Sequence, residues 1–297
     1  MGVVERRFRW EEIKRLTSGF GSSSVISEGQ FSTVYLARFP HDGSVGAIKI
    51  YRHNGRLSQA FQEELRIVRR LSHPNVVRFI GYCDEGEKGV LVFEHVPNGT
   101  LHDHLHNQSS HPTPLPWRLR TRIAYSVACA LQHLHHRDVA HGCISSSHVL
   151  LDPRLEPKLC DFRSADATYA RAVAHLHFVT GPIGYVDPHS YLCVGGVTPM
   201  SDVYSFGVLV LELLTGQEVE EEHEMMPATL AEEMVEDKEK AVAMVDGRLE
   251  GEFDSKEVLA MVLIVGKCLL MYPRERPSMM EILGLIETLV PSATVFE

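Results

Sequence analysis

The chain has 297 residues, a formal net charge of -10 at pH 7 and an ordinary apolar content, with 44% of its residues hydrophobic. This length suits one large domain or a two-lobed domain, and the negative charge argues against a nucleic-acid-binding surface, which is normally basic. The six cysteines include no C-x-x-C pair, which favours free thiols in a reducing compartment over a disulfide framework. No apolar run reaches the length of a membrane span; the nearest, Leu259 to Met271, is interrupted by Lys267.

The N-terminal third of the chain predicts a small unit of strands and helices. Apolar periodicity distinguishes the two kinds of element, and glycine and proline clusters separate them. The predicted helices run from Phe8 to about Phe20 and from Leu57 to Leu71. The predicted strands cover Val25-Ile26, Thr33 to Ala37, Val45 to Tyr51, Val76 to Tyr82 and Gly89 to Phe93.

The rest of the chain predicts a larger, mainly helical unit. Long helical stretches run from Trp117 to His135 and from Ser201 to Leu214, and the second is apolar enough to be buried. A short strand is predicted from Val149 to Leu151. Acidic residues within 218–224 and 232–239 predict a solvated surface rather than a dedicated binding site for a basic partner.

One loop and one strand carry a weak phosphate-binding pattern. Ser27 to Ser32 lies between two predicted strands and keeps a single glycine, Gly29, where glycine lets the backbone approach phosphate groups closely. The run Gly46-Ala47-Ile48-Lys49 lies in a predicted strand and ends in a lysine. Taken singly, these residues are better explained by a β-hairpin turn and a solvated lysine than by phosphate binding.

Four stretches resemble the plant receptor-like kinases, which are related to the Pelle kinases. They are Phe8 to Ile13, His73 to Val77, Leu91 to His95 and Pro97 to Leu101. The likeness runs from about Phe8 to Leu289 and favours the receptor-like cytoplasmic kinase type. It implies an α+β, two-lobed eukaryotic protein-kinase fold, with a small antiparallel β-sheet N-lobe that carries helix C and a larger, mainly helical C-lobe. On this basis residues 1–24 form a helical extension, 25–96 the N-lobe, 97–290 the C-lobe and 291–297 a tail.

The same resemblance implies an ATP site in the N-lobe. Lys49 would hold the α- and β-phosphates and pair with Glu64 of helix C, with Glu63 as the alternative partner. Phe93 would be the gatekeeper residue, and the hinge after it would meet the adenine ring. The residues implied to contact the nucleotide are Ile26, Ser27, Gly29, Val34, Ala47, Lys49, Glu64, Phe93, Glu94 and Val96.

The catalytic stretch keeps the kinase frame and loses its reactive residues. Against the pattern H-R-D-x-K-x-x-N, Cys143 stands for the catalytic aspartate, Ser145 for the lysine and His148 for the asparagine. In the D-F-G pattern Arg163 replaces the glycine, restricting the backbone and adding a bulky cation. Asp161 remains and, by the resemblance, could hold one Mg²⁺ or Mn²⁺ ion.

These replacements remove the chemistry of phosphoryl transfer, which needs a positioned nucleophile, neutralised phosphate charge and bound magnesium. Cys143 offers no carboxylate to accept a proton, and loss of a general base is worth about 10² to 10⁴ in rate. His148 offers an imidazole, which is a poor ligand for a hard cation. By contrast, the residues that would organise the fold are kept: His141, Phe162 and Asp202.

A literal His136-Arg137-Asp138 precedes this stretch but lies at the wrong spacing. Counting back from Asp161 by the kinase interval gives Cys143 instead of Asp138. The strand predicted from Val149 supports this register, because it directly follows His148. We therefore interpret the triplet as a chance match in the turn after a helix.

The activation segment departs from the family at two anchoring positions. Pro182 stands where the family has a threonine that contacts the catalytic aspartate and lysine. His189 replaces the glutamate of the A-P-E pattern, while its usual partner corresponds to Arg276, which remains. We therefore expect this pair to be missing and the segment to be less firmly anchored.

Histidines and one cysteine raise further hypotheses. Two groups of histidines could suggest a metal site: His102, His104 and His106, and His133, His135 and His136. On a helix His102 and His106 would share a face, but with no third metal ligand evident we expect ordinary surface histidines. Cys143, His148 and Asp161 could cluster around a soft transition metal, and Cys143 with His148 could form a nucleophile–base pair. We expect neither arrangement, and the second lacks an orienting third group.

The residues favour a pseudokinase that acts as a signalling scaffold or allosteric adaptor for other protein kinases in receptor or immune complexes. One alternative is a weakly active, ATP-dependent serine/threonine kinase with an atypical loop. Another is a binding module in which ATP locks the lobes without turnover. ATP with one Mg²⁺ or Mn²⁺ ion fits the remaining residues, although a scaffold needs neither. We expect a cytoplasmic protein that reaches the inner face of the plasma membrane through its partners, with no nucleic acid among them.

Overall fold

The chain folds as two units that divide between Pro97 and Asn98. The structure is a computed structural model, and it describes residues 5–29, 32–52, 55–85, 88–162, 183–192, 197–218 and 226–295. Arg163, Pro182 and most of the acidic run at 218–224 therefore lie outside the described residues.

The N-terminal unit, Met1–Pro97, is built on one sheet with the strand order β1-β5-β6-β4-β3-β2. Its described strands are β1 (Arg6–Arg7), β2 (Val25–Glu28), β3 (Ser32–Arg38), β4 (Val45–Tyr51), β5 (Phe79–Cys83) and β6 (Val90–Glu94). Its described helices are α1 (Trp10–Leu16) and α2 (Gly55–Val68). Neighbouring strands are antiparallel except β1 and β5, so the predicted antiparallel sheet gains one parallel edge strand.

The N-terminal extension is part of this unit's hydrophobic core. Phe8 and Ile13 are buried together with Ile48, Ile50 and Cys83 of the sheet. The backbone amide of Phe8 also donates a hydrogen bond to the carbonyl of Tyr82, 2.8 Å away, and so continues the β1–β5 pairing. The extension predicted as a separate segment is therefore packed into the N-terminal unit.

Gly81 is the position on β5 where this pairing requires a glycine. A Cβ atom there would lie 1.9 Å from the carbonyl oxygen of Arg6 and 2.9 Å from the Phe8 ring. We expect Gly81→Ala to lower the free energy of unfolding by about 1–3 kcal/mol, as overpacking does, and to release β1. Denaturant unfolding measures the first effect, and hydrogen exchange at the Phe8 amide measures the second.

The matched control for this substitution is Gly284→Ala, in a helix near the C-terminus. A Cβ atom at Gly284 would meet nothing within 4 Å, so alanine should stabilise the helix by up to about 1 kcal/mol. If Gly81→Ala unfolded like the wild type while the Phe8 amide stayed protected, the close β1–β5 contact would be wrong.

The C-terminal unit, Asn98–Glu297, is mainly helical. Its described helices are α3 (Leu101–His106), α4 (Trp117–His135), α5 (Pro188–Leu192), α6 (Pro199–Thr215), α7 (Pro227–Glu236), α8 (Lys238–Ala243), α9 (Ser255–Cys268) and α10 (Met279–Leu289). A hairpin pairs β7 (Val149–Leu151) with β8 (Pro157–Leu159). The predicted bounds of α4 and β7 are confirmed. None of the helices in the described ranges has the length and apolar content needed to cross a membrane.

Helix α6 forms the centre of this unit and packs against α4 and α9. Thr198 caps its N-terminus by accepting a hydrogen bond from the backbone amide of Ser201, and Gly216, with φ 65°, ends it in the left-handed conformation. Asp202 and Glu212 are buried polar residues on this otherwise apolar helix. Buried carboxylates need hydrogen-bond partners, and both find theirs in the candidate site.

Candidate functional site

The residues implied to contact a nucleotide lie together on adjacent strands of the N-terminal unit. Val34 on β3 is directly opposite Lys49 on β4, and Ala47 on β4 is opposite Phe93 on β6. Directly opposed residues point to the same face, as do residues two apart on one strand. Val34, Ala47, Lys49 and Phe93 therefore share one face of the sheet.

Lys49 forms the ion pair expected with Glu64 of α2. Its Nζ atom lies 2.9 Å and 2.6 Å from the two carboxylate oxygens, and the side chains are only 8% and 1% exposed. Tyr51 donates a further hydrogen bond to the same carboxylate. The alternative, Glu63, instead pairs with Arg66 on the exposed side of α2. The structure thus selects Glu64, and α2 holds the lysine in place.

The other residues of this set differ in exposure. Ile26 and Ser27 on β2 are exposed, as is Gly29, whose amide donates to the Ser32 carbonyl at 3.0 Å. Phe93 is buried beside Phe79, with ring centroids 5.8 Å apart. The next two members of the set lie at the end of the unit: Glu94, which accepts a hydrogen bond from the Arg78 amide, and the buried Val96.

In the C-terminal unit, Asp202 of α6 holds the loop at residues 141–148, which we call the catalytic-type loop. The carboxylate accepts hydrogen bonds from the backbone amides of His141 and Gly142, at 2.7 Å and 2.8 Å, and from Nε2 of His135 at 2.8 Å. Gly142 has φ 78°, a conformation that favours glycine. Asp202 therefore fixes the start of the catalytic-type loop, the role that the resemblance implies.

His141 is a neutral structural residue. Its Nε2 atom donates to the carbonyl of Cys160 at 3.0 Å, its Nδ1 atom accepts from the amide of Cys143 at 3.3 Å, and its ring packs against Phe162. Complete burial lowers the pKa of His141 to about 4. The literal triplet behaves differently, since Arg137 and Asp138 are exposed residues of the turn after α4.

The structure brings three of the degenerate positions together around the ring of His148. Its Nδ1 atom lies 2.8 Å from the carbonyl oxygen of Cys143, 3.1 Å from the Ser145 hydroxyl and 3.4 Å from the Cys143 sulfur. Its Nε2 atom lies 3.3 Å from a carboxylate oxygen of Asp161. Asp161 holds a positive φ of 68°, which is uncommon outside glycine.

The charge on His148 follows from these neighbours. Burial disfavours the protonated ring, but Cys143 and the Asp161 carboxylate outweigh that effect and raise the pKa of His148 to about 9. At neutral pH the ring is therefore a cation facing Asp161. The two residues form an ion pair where the resemblance implies two metal ligands.

One expectation about this cluster was wrong, because a third group does contact the Cys143–His148 pair. Asp161 lies against the far nitrogen of the ring. Even so, a carbonyl oxygen can only accept a hydrogen bond, so Nδ1 uses its proton on the Cys143 carbonyl and cannot take one from the thiol. The arrangement is therefore not a nucleophile–base pair.

The cluster also does not fit the divalent metal that a kinase would carry. A hard cation prefers oxygen ligands, and the remaining carboxylate at Asp161 faces an imidazole. Within the described ranges no set of three or more His, Cys, Asp and Glu side chains is arranged to hold a metal ion. Cys143, His148 and Asp161 do lie close together, and the ring nitrogens of His148 face the Cys143 carbonyl and Asp161.

The histidines of α3 are more deeply built in than predicted. His106 Nε2 donates to the buried carboxylate of Glu212 at 2.6 Å, and His102 Nε2 lies 2.7 Å from Glu218. His104 is buried and donates to the carbonyl of Asn98 at 2.8 Å. The expectation of ordinary surface histidines was wrong for His104 and His106, because α3 packs this face towards the unit's interior.

Glu212 joins three segments of the C-terminal unit. Besides His106 of α3, it accepts a hydrogen bond from Ser146 of the catalytic-type loop, at 2.8 Å, and one from Tyr185. Burial, and then the neighbouring Glu212 carboxylate, raise the pKa of the Tyr185 phenol well above its usual value. The sequence carried one signal for this cluster: a glutamate inside the apolar run of α6.

The described end of the activation segment, residues 183–192, is anchored, contrary to expectation. Arg276 forms a buried pair with Asp187, with each terminal guanidinium nitrogen 2.8 Å from a carboxylate oxygen. Asp187 also accepts hydrogen bonds from the His189 amide and the Ser190 hydroxyl. The carboxylate that pairs with Arg276 therefore comes from Asp187, the first residue of the A-P-E pattern, two positions before His189.

His148 predicts a pH dependence that can be measured. The pKa of the folded state, about 9, lies above the ordinary value of about 6.5. The protonated ring therefore stabilises the fold fully below pH ~6.5 and loses this contribution as the pH rises through 9. We expect the gap in unfolding free energy between wild type and His148→Gln to narrow over this range. The pKa of His141 is lowered to about 4, so its titration changes the stability only below pH ~6.5 and does not overlap this range. A gap that stayed constant would contradict the ion pair.

Comparisons with known proteins agree with this architecture. A match to the protein kinase domain family covers residues 20–285. The chain is 42% identical, over 95% of its length, to Salt tolerance receptor-like cytoplasmic kinase 1 of Oryza sativa subsp. japonica, and covers 80% of that protein. It is 33% identical to Probable serine/threonine-protein kinase PBL18 of Arabidopsis thaliana, with 97% of the chain and 78% of the relative aligned. Serine/threonine-protein kinase PBS1 of the same species is 32% identical, with 98% and 66% aligned. The chain belongs to the protein kinase domain family, with receptor-like cytoplasmic kinases among its relatives.

Proposed function

We propose that this chain is a pseudokinase that serves as a signalling scaffold or allosteric adaptor for active kinases in receptor or immune complexes. The single observation that carries the proposal is the set of side-chain contacts around His148 in the catalytic-type loop. There the side chains at the catalytic-aspartate, lysine and asparagine positions contact one another and Asp161. A loop whose polar groups are satisfied internally has none poised for a substrate hydroxyl.

The retained framework supports the adaptor part of the proposal. The Lys49–Glu64 pair, the bonds from the His141 and Gly142 amides to Asp202, and the buried Arg276 pair all maintain the fold. None of these contacts transfers a phosphoryl group by itself. A binding role requires the fold but does not require the catalytic residues.

The Lys49–Glu64 pair also supports a response to ATP, because it leaves a fixed cation in the N-terminal unit. In this version of the function, nucleotide binding changes the adaptor's conformation without turnover. The relatives named as serine/threonine kinases support the alternative of a weakly active kinase. That alternative requires a general base, and Cys143 supplies no carboxylate.

We propose a cytoplasmic location, with recruitment to the inner face of the plasma membrane through partner kinases. The first of the relatives above is named a receptor-like cytoplasmic kinase, which supports this location. Receptor or immune kinases of the same family are the partners that the proposal requires.

The adaptor role is tested by adding the purified chain to an active receptor-like cytoplasmic kinase and measuring how fast that kinase phosphorylates its substrate. We expect the rate to change several-fold, and we expect Cys143→Ser to act like the wild type because no nucleophile is involved. Asp187→Ala, which breaks the buried pair with Arg276, should abolish the effect. A change in rate that depended on turnover by the chain itself would contradict the proposal.

A further inference from the structure

We propose that this chain binds ATP without a divalent cation, because the ring of His148 pairs with the Asp161 carboxylate that would otherwise hold a metal ion. The inference rests on the nucleotide-responsive part of the proposed function. It replaces the expectation, drawn from the resemblance, that Asp161 holds one Mg²⁺ or Mn²⁺ ion.

The first support is the geometry of the ring. Its Nδ1 atom is 2.8 Å from the Cys143 carbonyl oxygen, which can only accept a hydrogen bond. The Nδ1 proton therefore points into the loop, and this contact fixes the orientation of the imidazole. The other nitrogen, Nε2, is directed at Asp161 at 3.3 Å.

The second support is the chemistry of the exchange from asparagine to histidine. An asparagine side chain offers a carbonyl oxygen, which suits a hard cation. The imidazole offers nitrogen, and here one nitrogen donates to the Cys143 carbonyl while the other faces a carboxylate. Neither ring nitrogen is left to coordinate magnesium, and a metal at Asp161 would compete with the ring for the carboxylate.

The third support is that the ring is held firmly in this position. The His148 side chain is only 18% exposed, and the neighbouring Ser145 hydroxyl and Cys143 sulfur pack against its Nδ1 side. The His148 backbone carbonyl also accepts a hydrogen bond from the Cys160 amide at 3.0 Å. The backbone bond fixes the start of the side chain, and moving the ring away from Asp161 would break its contacts with Cys143 and Ser145.

The experiment measures ATP affinity by titration calorimetry on the full chain, once with excess EDTA and once with excess MgCl₂. We expect the two dissociation constants of the wild type to agree within about a factor of three, well under the tenfold that 1.4 kcal/mol represents. In His148→Asn, which restores an oxygen ligand beside Asp161, we expect magnesium to tighten binding at least tenfold. Ser147→Ala, an exposed neighbour in the same loop, is the matched control and should behave like the wild type.

A second readout follows the metal itself. Electron paramagnetic resonance measures the Mn²⁺ that is bound in the presence of ATP. With wild-type protein we expect only the manganese that the bound ATP itself carries. With His148→Asn we expect additional, tightly bound manganese. Wild-type protein that needed Mg²⁺ for ATP binding would overturn the inference and leave the proposed nucleotide response intact. A folded wild type that bound ATP under neither condition would overturn both. If His148→Asn failed to fold, the wild-type comparison alone would still decide.

Discussion

Replacing Asp187 with alanine is expected to lower the free energy of unfolding by about 3–5 kcal/mol, because it leaves a buried guanidinium without its partner. Both side chains of the Asp187–Arg276 pair are fully buried, at 0% exposure. Arg276 would keep its bonds to the carbonyls of Leu270 and Met200, which accept hydrogen bonds but carry no charge to balance it. Denaturant unfolding of the purified chain measures the effect.

Two variants make this prediction specific. Arg274→Ala removes a neighbouring arginine that is 82% exposed, and it should change stability by less than about 0.5 kcal/mol. Adding His189→Glu to Asp187→Ala returns a carboxylate to the position that the family uses, and it should recover part of the loss. If Asp187→Ala were as stable as Arg274→Ala, the buried pair would not be the anchor of this segment.

Replacing Glu212 with alanine is expected to destabilise the C-terminal unit by a similar amount, about 3–5 kcal/mol. The substitution leaves His106, Ser146 and Tyr185 without their shared buried acceptor, and each unpaired buried donor costs about 1–3 kcal/mol. It also opens a cavity beside α6. Hydrogen exchange should show faster opening of the loop that carries Ser146, beyond the loss of global stability.

Glu212→Gln separates the acceptor from the charge. Its amide oxygen can still accept from His106 and Ser146, while its nitrogen can donate to the Tyr185 oxygen, so we expect a smaller loss than with alanine. Ser147→Ala changes an exposed residue beside Ser146 and should be neutral. Equal losses for the glutamine and alanine variants would show that the charge, rather than the hydrogen bonds, holds the cluster.

Much of the fold could be predicted because it depends on local periodicity and on motifs with fixed spacing. The bounds of α4 follow from its apolar repeat, and the Lys49–Glu64 pair is implied by the resemblance to the receptor-like kinases. The parallel edge strand β1 could not be predicted in the same way. Its pairing depends on the glycine at Gly81, whose importance appears only when Arg6 lies beside it.

The anchoring contacts of the site were missed because they join distant parts of the chain. Asp187 and Arg276 are 89 positions apart, and a motif comparison registers the lost glutamate at His189 without registering the carboxylate gained two residues earlier. Likewise, the sequence suggests Asp161 as a magnesium ligand, or as a member of a soft-metal cluster with Cys143 and His148, and does not indicate an ion pair. Only the folded loop shows that His148 faces Asp161.

We propose that this kinase-family chain keeps the fold and has lost phosphoryl transfer. The most direct measurement is transfer of radiolabelled phosphate from ATP to the chain itself and to a general protein substrate, with Mg²⁺ or Mn²⁺, beside a Lys49→Ala control. We expect wild type and Lys49→Ala to give the same background rate. Wild-type turnover well above background that Lys49→Ala abolished would contradict it and would identify a working kinase with an unusual catalytic loop.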